Sequence, residues 1–141
     1  MRSSDAPVLL DTCAVIWLMS RATLAPASLT AIRAAQTASL GVYISPFTAW
    51  EIGTLVAKGR LHLTLTPEVW FERVLALPGV RLAALTPRLL ISSTVLPGTP
   101  PSDPADRIIA ATARYSGYCV ITRDKKLLDY AEQGHILVIA C

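Results

Sequence analysis

Charge is scarce in this chain: Asp, Glu, Lys and Arg make up only 16% of 141 residues, so the position of each of its ten acids carries information. Histidine occurs only twice, and the three cysteines, Cys13, Cys119 and Cys141, form no CxxC pair and have no histidine nearby. That composition argues against a zinc site and against a disulfide framework, and the cysteines read as reduced core or near-core thiols. Aromatic residues amount to 6%, and no internal repeat or low-complexity tract is visible. A long hydrophobic run is also missing, although the apolar fraction is 52% and the mean hydropathy +0.48. The most apolar window, Val8-Leu-Leu-Asp-Thr-Cys-Ala-Val-Ile-Trp-Leu-Met19, is interrupted by Asp11 and falls short of the roughly 20 residues a spanning helix needs. Met1 to Pro7 leads directly into an apolar run and does not read as a signal peptide, so a cytoplasmic protein without a membrane segment is expected.

The length suits one domain over residues 1–141, large enough to bury a core without staples. A net charge of +3 and a pI near 9.0 permit an anionic partner without demonstrating one. Apolar surface in excess of what a small domain buries points to a protein partner, either a second copy or another chain.

Continuous apolar runs alternate with helical patterns along the chain. Pro7-Val-Leu-Leu-Asp11 reads as a buried strand ending in an acid, followed by a helix from Cys13 to about Met19 that Thr12 would cap. A helix from Pro26 leads through Gly41 to a strand at Val42–Ile44. Ser45-Pro46, Thr66-Pro67 and Thr86-Pro87 each place a capping hydroxyl before a proline at the first helical position. A third strand is expected at Val80–Leu85, after Pro78-Gly79. Asp103-Pro104 opens a helix that ends near Gly117, Tyr118–Ile121 is a fourth strand, Asp124–Glu132 a short helix, and His135–Cys141 a last strand. This alternation predicts a three-layer α/β/α sandwich around a central parallel sheet of about five strands.

Asp11 and Asp124 follow the first and fourth strands, and in open parallel sheets ligands bind beyond the carboxyl ends of the strands where strand order reverses. Glu51 lies mid-helix among Phe47, Thr48, Thr54 and Leu55, without a local lysine or arginine to pair with. Asp106 falls three residues after Asp103, where an acid can complete a capping box, and the same position at a helix start favours an ionised metal ligand. Clustered carboxylates repel one another unless a cation binds among them, and oxygen-only donors suit Mg²⁺ or Mn²⁺. Such ions activate water and stabilise charge on a phosphodiester. Arg107, Arg123 and Lys125, with Arg114, Lys126, Lys58 and Arg60, would suit a phosphate backbone beside the acids.

Four blocks, Leu9-Leu-Asp-Thr12, Ser45-Pro-Phe-Thr-Ala-Trp-Glu-Ile52, Asp103-Pro-Ala-Asp-Arg-Ile-Ile-Ala-Ala-Thr-Ala113 and Val120-Ile-Thr-Arg-Asp124, resemble in order and spacing the PIN-domain ribonucleases, and within them the VapC-type toxins of toxin-antitoxin pairs. The resemblance implies an acidic quartet of Asp11, Glu51, Asp106 and Asp124 that is both catalytic and metal-binding, supported by Thr12, Asp103 and Thr122. It further implies Mg²⁺ or Mn²⁺ as cofactor, a transfer or ribosomal RNA substrate, a cognate antitoxin and a homodimer. Two other phosphate chemistries fit less well. An aspartate-nucleophile phosphatase needs an acid where Cys13 stands, and a receiver-type phosphoacceptor needs an aspartate after the third strand, where Leu85-Thr-Pro87 stands. The remaining rival is a PIN-like binding module without nuclease activity. Trp17, Trp50 and Trp70 read as core or interface anchors, and neither His62 nor His135 is given a catalytic role.

Overall fold

Five short strands lie side by side, all parallel, in the order β3-β2-β1-β4-β5: β1 is Val8–Leu10, β2 Val42–Ile44, β3 Val80–Leu82, β4 Cys119–Thr122 and β5 Leu137–Ala140. The structure is a computed structural model, and it describes residues 6–20, 25–38 and 40–141. Most of the amino-terminal stretch that was read as lacking a signal peptide falls outside the described residues. Among the described residues, no helix is long and apolar enough to cross a membrane.

Among the described residues, seven helices connect the strands: α1 Thr12–Met19, α2 Pro26–Thr37, α3 Pro46–Ala57, α4 Pro67–Leu75, α5 Pro87–Ser92, α6 Pro104–Ser116 and α7 Lys125–Glu132. The expected sandwich is therefore present. β1 pairs with β2 on one side and β4 on the other, with Leu10 level with both Ile44 and Ile121. Alternation along these strands divides the core between the two faces of the sheet. Val8, Leu10 and Ile121 point to one side and pack with Val15, Ile32, Ile52, Trp70 and Val74 of α1 to α4. Leu9 and Val120 point to the other and pack with Ile109, Ala113, Leu127 and Tyr130 of α6 and α7. Strands buried on both faces have no polar side to show, which is why they appear in the sequence as unbroken apolar runs.

Three expectations need adjusting. The helix after β1 is capped by Asp11, whose Oδ1 accepts from the Ala14 amide at 2.8 Å, and Thr12 is already helical. β3 is three residues long rather than six and sits at the sheet edge with Arg81 and Leu82 exposed, where half the ladder is missing. Cys13 is exposed, while Cys119 is buried and Cys141 half-buried, so only the latter two fit the core reading.

Candidate active site

Strand order reverses between β1 and β4, and the carboxyl ends of these two strands open a crevice there. The ends are tied together by the Asp11 amide, which donates to the Ile121 carbonyl at 3.2 Å. Three helices begin at this rim: α1 directly after β1, α6 at Asp103, and α7 directly after β4. Their caps are the acids themselves. Asp103 Oδ1 accepts from the amides of Ala105 at 2.7 Å and Asp106 at 3.3 Å. Asp124 Oδ1 accepts from the Lys126 amide at 2.8 Å. Capping and site-building are thus the same act here, because a side chain that closes a helix start at the switch point also lies at the crevice.

Asp11, Glu51, Asp106 and Asp124 line one cavity of about 100 Å³, together with Thr12, Cys13, Ala105 and Ile109. Each acid arrives from a different element. Asp11, 6% exposed, is held from both oxygens: the Ala14 amide binds Oδ1, and the buried Thr122 hydroxyl donates to Oδ2. Thr122 also accepts from the Asp124 amide at 2.9 Å, so one hydroxyl orients both acids of the β1–β4 pair. Glu51 accepts from the Thr12 hydroxyl at 2.7 Å, and Thr12 lies 3.3 Å from the hydroxyl of fully buried Thr48. Thr12, Asp103 and Thr122, the residues expected to support the site, each make a hydrogen bond at this rim. Thr48 was not singled out as a site residue; its place one turn before Glu51 was the available signal.

The electrostatics are those of crowded carboxylates. Burial raises Asp11 above the ordinary aspartate range, with the charge of Asp124 adding to it and the Thr122 hydrogen bond opposing. Glu51 is raised by burial and then by Asp103 and Asp11, against the Thr12 hydrogen bond. Asp106 is pushed up to about 7 by burial first, then by the charges of Asp124 and Asp103 and by hydrogen bonding of its protonated form to Asp124. The capping-box contact expected of Asp106 is not made, and its carboxyl turns to the cavity instead. Among the described residues, none of these four acids is paired with a lysine or arginine.

Such a set lacks a positive charge, and its donors are all hard oxygens, which fits a divalent cation of the Mg²⁺ or Mn²⁺ type. As the side chains are placed, no three His, Cys, Asp or Glu groups among the described residues stand close enough to grip one ion. Burial and the charge of Asp124 raise Asp106, while threonine hydroxyls donate to Asp11 and Glu51. Cys13 also lines the cavity, but desolvation and the charges of Asp11, Glu51 and Asp124 push its thiol up to about 11, so it stays protonated and a poor nucleophile.

The basic residues are less concentrated at the acids than their sequence positions imply. Arg114 lies at the far end of α6 and donates to the His135 carbonyl at 2.7 Å. Arg107 donates to the Ser93 carbonyl at 3.3 Å, and Lys125 pairs with Asp129 at 3.5 Å on the surface. Arg123 donates from Nε to the Cys141 carbonyl at 2.5 Å and lies over the Trp17 ring, 3.3 Å from its centroid. That arrangement anchors the segment between Thr122 and Asp124 to α1.

The family profile described as PIN domain matches residues 8–133. Ribonuclease VapC22 of Mycobacterium tuberculosis is 29% identical to this chain over 89 residues, which span 63% of this chain and 67% of that protein. Two solved structures share the fold. VapBC2 from Rickettsia felis bound to a promoter DNA fragment superposes with a TM-score of 0.63 at 12% identity, over 94% of this chain and 97% of that one. DNA-bound VapBC from Salmonella typhimurium gives 0.60 at 19% identity, over 96% and 98%.

Proposed function

Because the chain belongs to the PIN-domain family, we propose that it is a divalent-metal-dependent endoribonuclease, the toxin of a toxin-antitoxin pair, acting in the cytoplasm. The observation that carries this reading is the convergence of Asp11, Glu51, Asp106 and Asp124 on one cavity at the β1–β4 switch point. The likeness to a ribonuclease called VapC22 and to structures of VapBC complexes supports both the activity and an antitoxin partner.

The four acids would hold Mg²⁺ or Mn²⁺. When bound, the ion supplies Lewis-acid stabilisation of a phosphodiester and acidifies water for in-line attack. The protein contributes placement. Thr122 orients Asp11 and the Asp124 backbone, Thr12 orients Glu51, and Asp103 secures the turn that presents Asp106. Such supporting hydrogen bonds keep ligand oxygens aimed before the ion arrives. Arg123 and Lys125 flank Asp124 in the sequence and Arg107 follows Asp106, and in this reading they meet the phosphate backbone outside the cavity, exchanging their present contacts with Cys141, Asp129 and Ser93 for it. RNA is the substrate class, with transfer or ribosomal RNA as the first to try, and the protein acts as a homodimer in this reading.

The test is incubation of the purified, antitoxin-free protein with total RNA. Cleavage with Mn²⁺ that is lost in EDTA and in Asp11→Asn is the expected result. Cleavage that survives either change would sink the mechanism. Among the described residues the four acids share a cavity but no three stand close enough to hold one ion, which favours a second reading, a PIN-like module that binds partners and has no nuclease activity. Growth arrest on expression that is unchanged in Asp11→Asn would favour that reading instead.

A further inference from the structure

Two of the three tryptophans are accounted for by the fold. Trp70 is 8% exposed in the core on the α1–α4 side, and Trp17 is covered by the Arg123 guanidinium. Trp50 is 62% exposed. An indole in water gains nothing for folding, and it is held in a defined attitude all the same. The Phe47 ring stacks on it with centroids 5.2 Å apart and planes at 21°.

Both rings stand on the first turns of α3, which starts directly after β2 and so at the carboxyl end of the sheet where the acids are. At about 100° per residue, Phe47 falls roughly 40° from Glu51 around the helix, and Trp50 roughly 60° beyond Phe47. Thr48 falls roughly 60° from Glu51 in the opposite direction, and it is fully buried beside Thr12. Glu51 is therefore the boundary between a buried hydroxyl pair and an aromatic pair in which Phe47 is half-buried and Trp50 exposed. Along the axis, Phe47 and Glu51 are just over one turn, about 6 Å, apart.

We infer that Phe47 and Trp50 form a stacking platform for one unpaired nucleobase of an RNA strand whose phosphodiester lies at the acids, an assignment that rests on the nuclease reading above. A base is neutral and flat, so it can lie against these rings beside Glu51 without the repulsion a phosphate would meet there. One helical turn is also about the span from a phosphate to a base of the same or the next nucleotide. Stacking tolerates any base, so the platform positions a single-stranded segment and does not read sequence. The rings share a helix with Glu51, which lines the acid cavity, and Phe47 stands one turn from it; that nearness to the acids favours a nucleobase over a second protein as occupant.

The experiment measures binding of a short single-stranded RNA by fluorescence anisotropy with Ca²⁺ in place of Mn²⁺, with cleavage in Mn²⁺ followed separately. Trp50→Ala, at an exposed position where the fold loses little, should weaken binding about tenfold, and Trp50→Phe should retain most of it. An abasic nucleotide walked along the RNA should, at one position, weaken wild-type binding by a similar factor and leave Trp50→Ala unaffected. If the two losses multiply at every abasic position, the platform does not exist. If RNA affinity is unchanged while light scattering shows Trp50→Ala falling from dimer to monomer, the rings belong to a contact between copies and the inference is overturned. Wild-type protein that binds RNA through Trp50 yet never cleaves in Mn²⁺ would sink the nuclease reading and leave this one standing.

Discussion

Thr122 and Asp106 govern the site from opposite directions. The Thr122 hydroxyl is the bond that keeps Asp11 Oδ2 aimed, and it is fully buried at the end of β4. Thr122→Val keeps the shape and removes that donor, so Mn²⁺ affinity by isothermal titration should fall about 10- to 100-fold. An unchanged affinity would mean that the Ala14 amide alone holds Asp11. Asp106 is raised from 3.8 to about 7, first by burial and then by Asp124 and Asp103. Between those two values the folded chain holds the proton more tightly than the unfolded chain does. Its contribution to stability is therefore complete at the acid end of the window and is lost as pH rises through about 7. Metal-free protein should show a melting temperature that declines across that window, and Asp106→Asn should flatten the decline. Mn²⁺ binding should have the opposite slope, because the ion needs the proton gone. That Asp11 and Asp124 end strands was legible in the sequence, since an acid after an apolar run is a local pattern. That the charge of Asp124 bears on Asp106 was not, because the two are brought together only by the packing of α6 and α7 around β4.

At the scale of elements, helix starts were the most readable features. Ser45-Pro46, Thr66-Pro67, Thr86-Pro87 and Asp103-Pro104 each begin a helix at the expected residue, because a capping oxygen and a pre-set φ act within one turn. The end of α6 at Gly117, where φ is 73°, was readable for the same reason. β3 was overestimated because its apolar run continues to Leu85 while its pairing with β2 stops at Leu82. Pairing is a property of two strands, and one strand's composition does not contain it. The α6 start joins stability to the site. Asp103→Ala removes the acceptor for the Ala105 and Asp106 amides, and it should cost about 1 kcal/mol in chemical denaturation. Mn²⁺ affinity should weaken along with it, since the turn that presents Asp106 frays. A full loss of stability with unchanged affinity would separate the cap from the site.

For the molecule as a whole, the sheet carries core on both faces and the two halves share β1 and β4, so residues 1–141 are proposed to unfold as one unit. Calorimetry should show a single transition whose calorimetric and van't Hoff enthalpies agree. Two separate transitions would argue for independent halves. Mn²⁺ at about 100 times its dissociation constant should add about 2.7 kcal/mol, reversed by EDTA, because the ion binds the folded chain alone.

The sequence by itself determined the layered α/β architecture and offered four acids as candidates for a site. Buried strands, caps and turn residues are chosen by local physics, and ten acids in a charge-poor chain leave few candidates for a site. The family blocks supplied the pairing of those acids into one set. Only the tertiary structure decided which charges meet. It placed β1 beside β4, turned Arg114 to the far end of α6, put Cys13 on the cavity wall, and left Trp50 open on Phe47 at the edge of the acids. Apart from the Phe47–Trp50 stack, which is local to one helix, these depend on contacts between residues far apart in the chain, where the energy of a side chain is set by neighbours that its own segment does not specify.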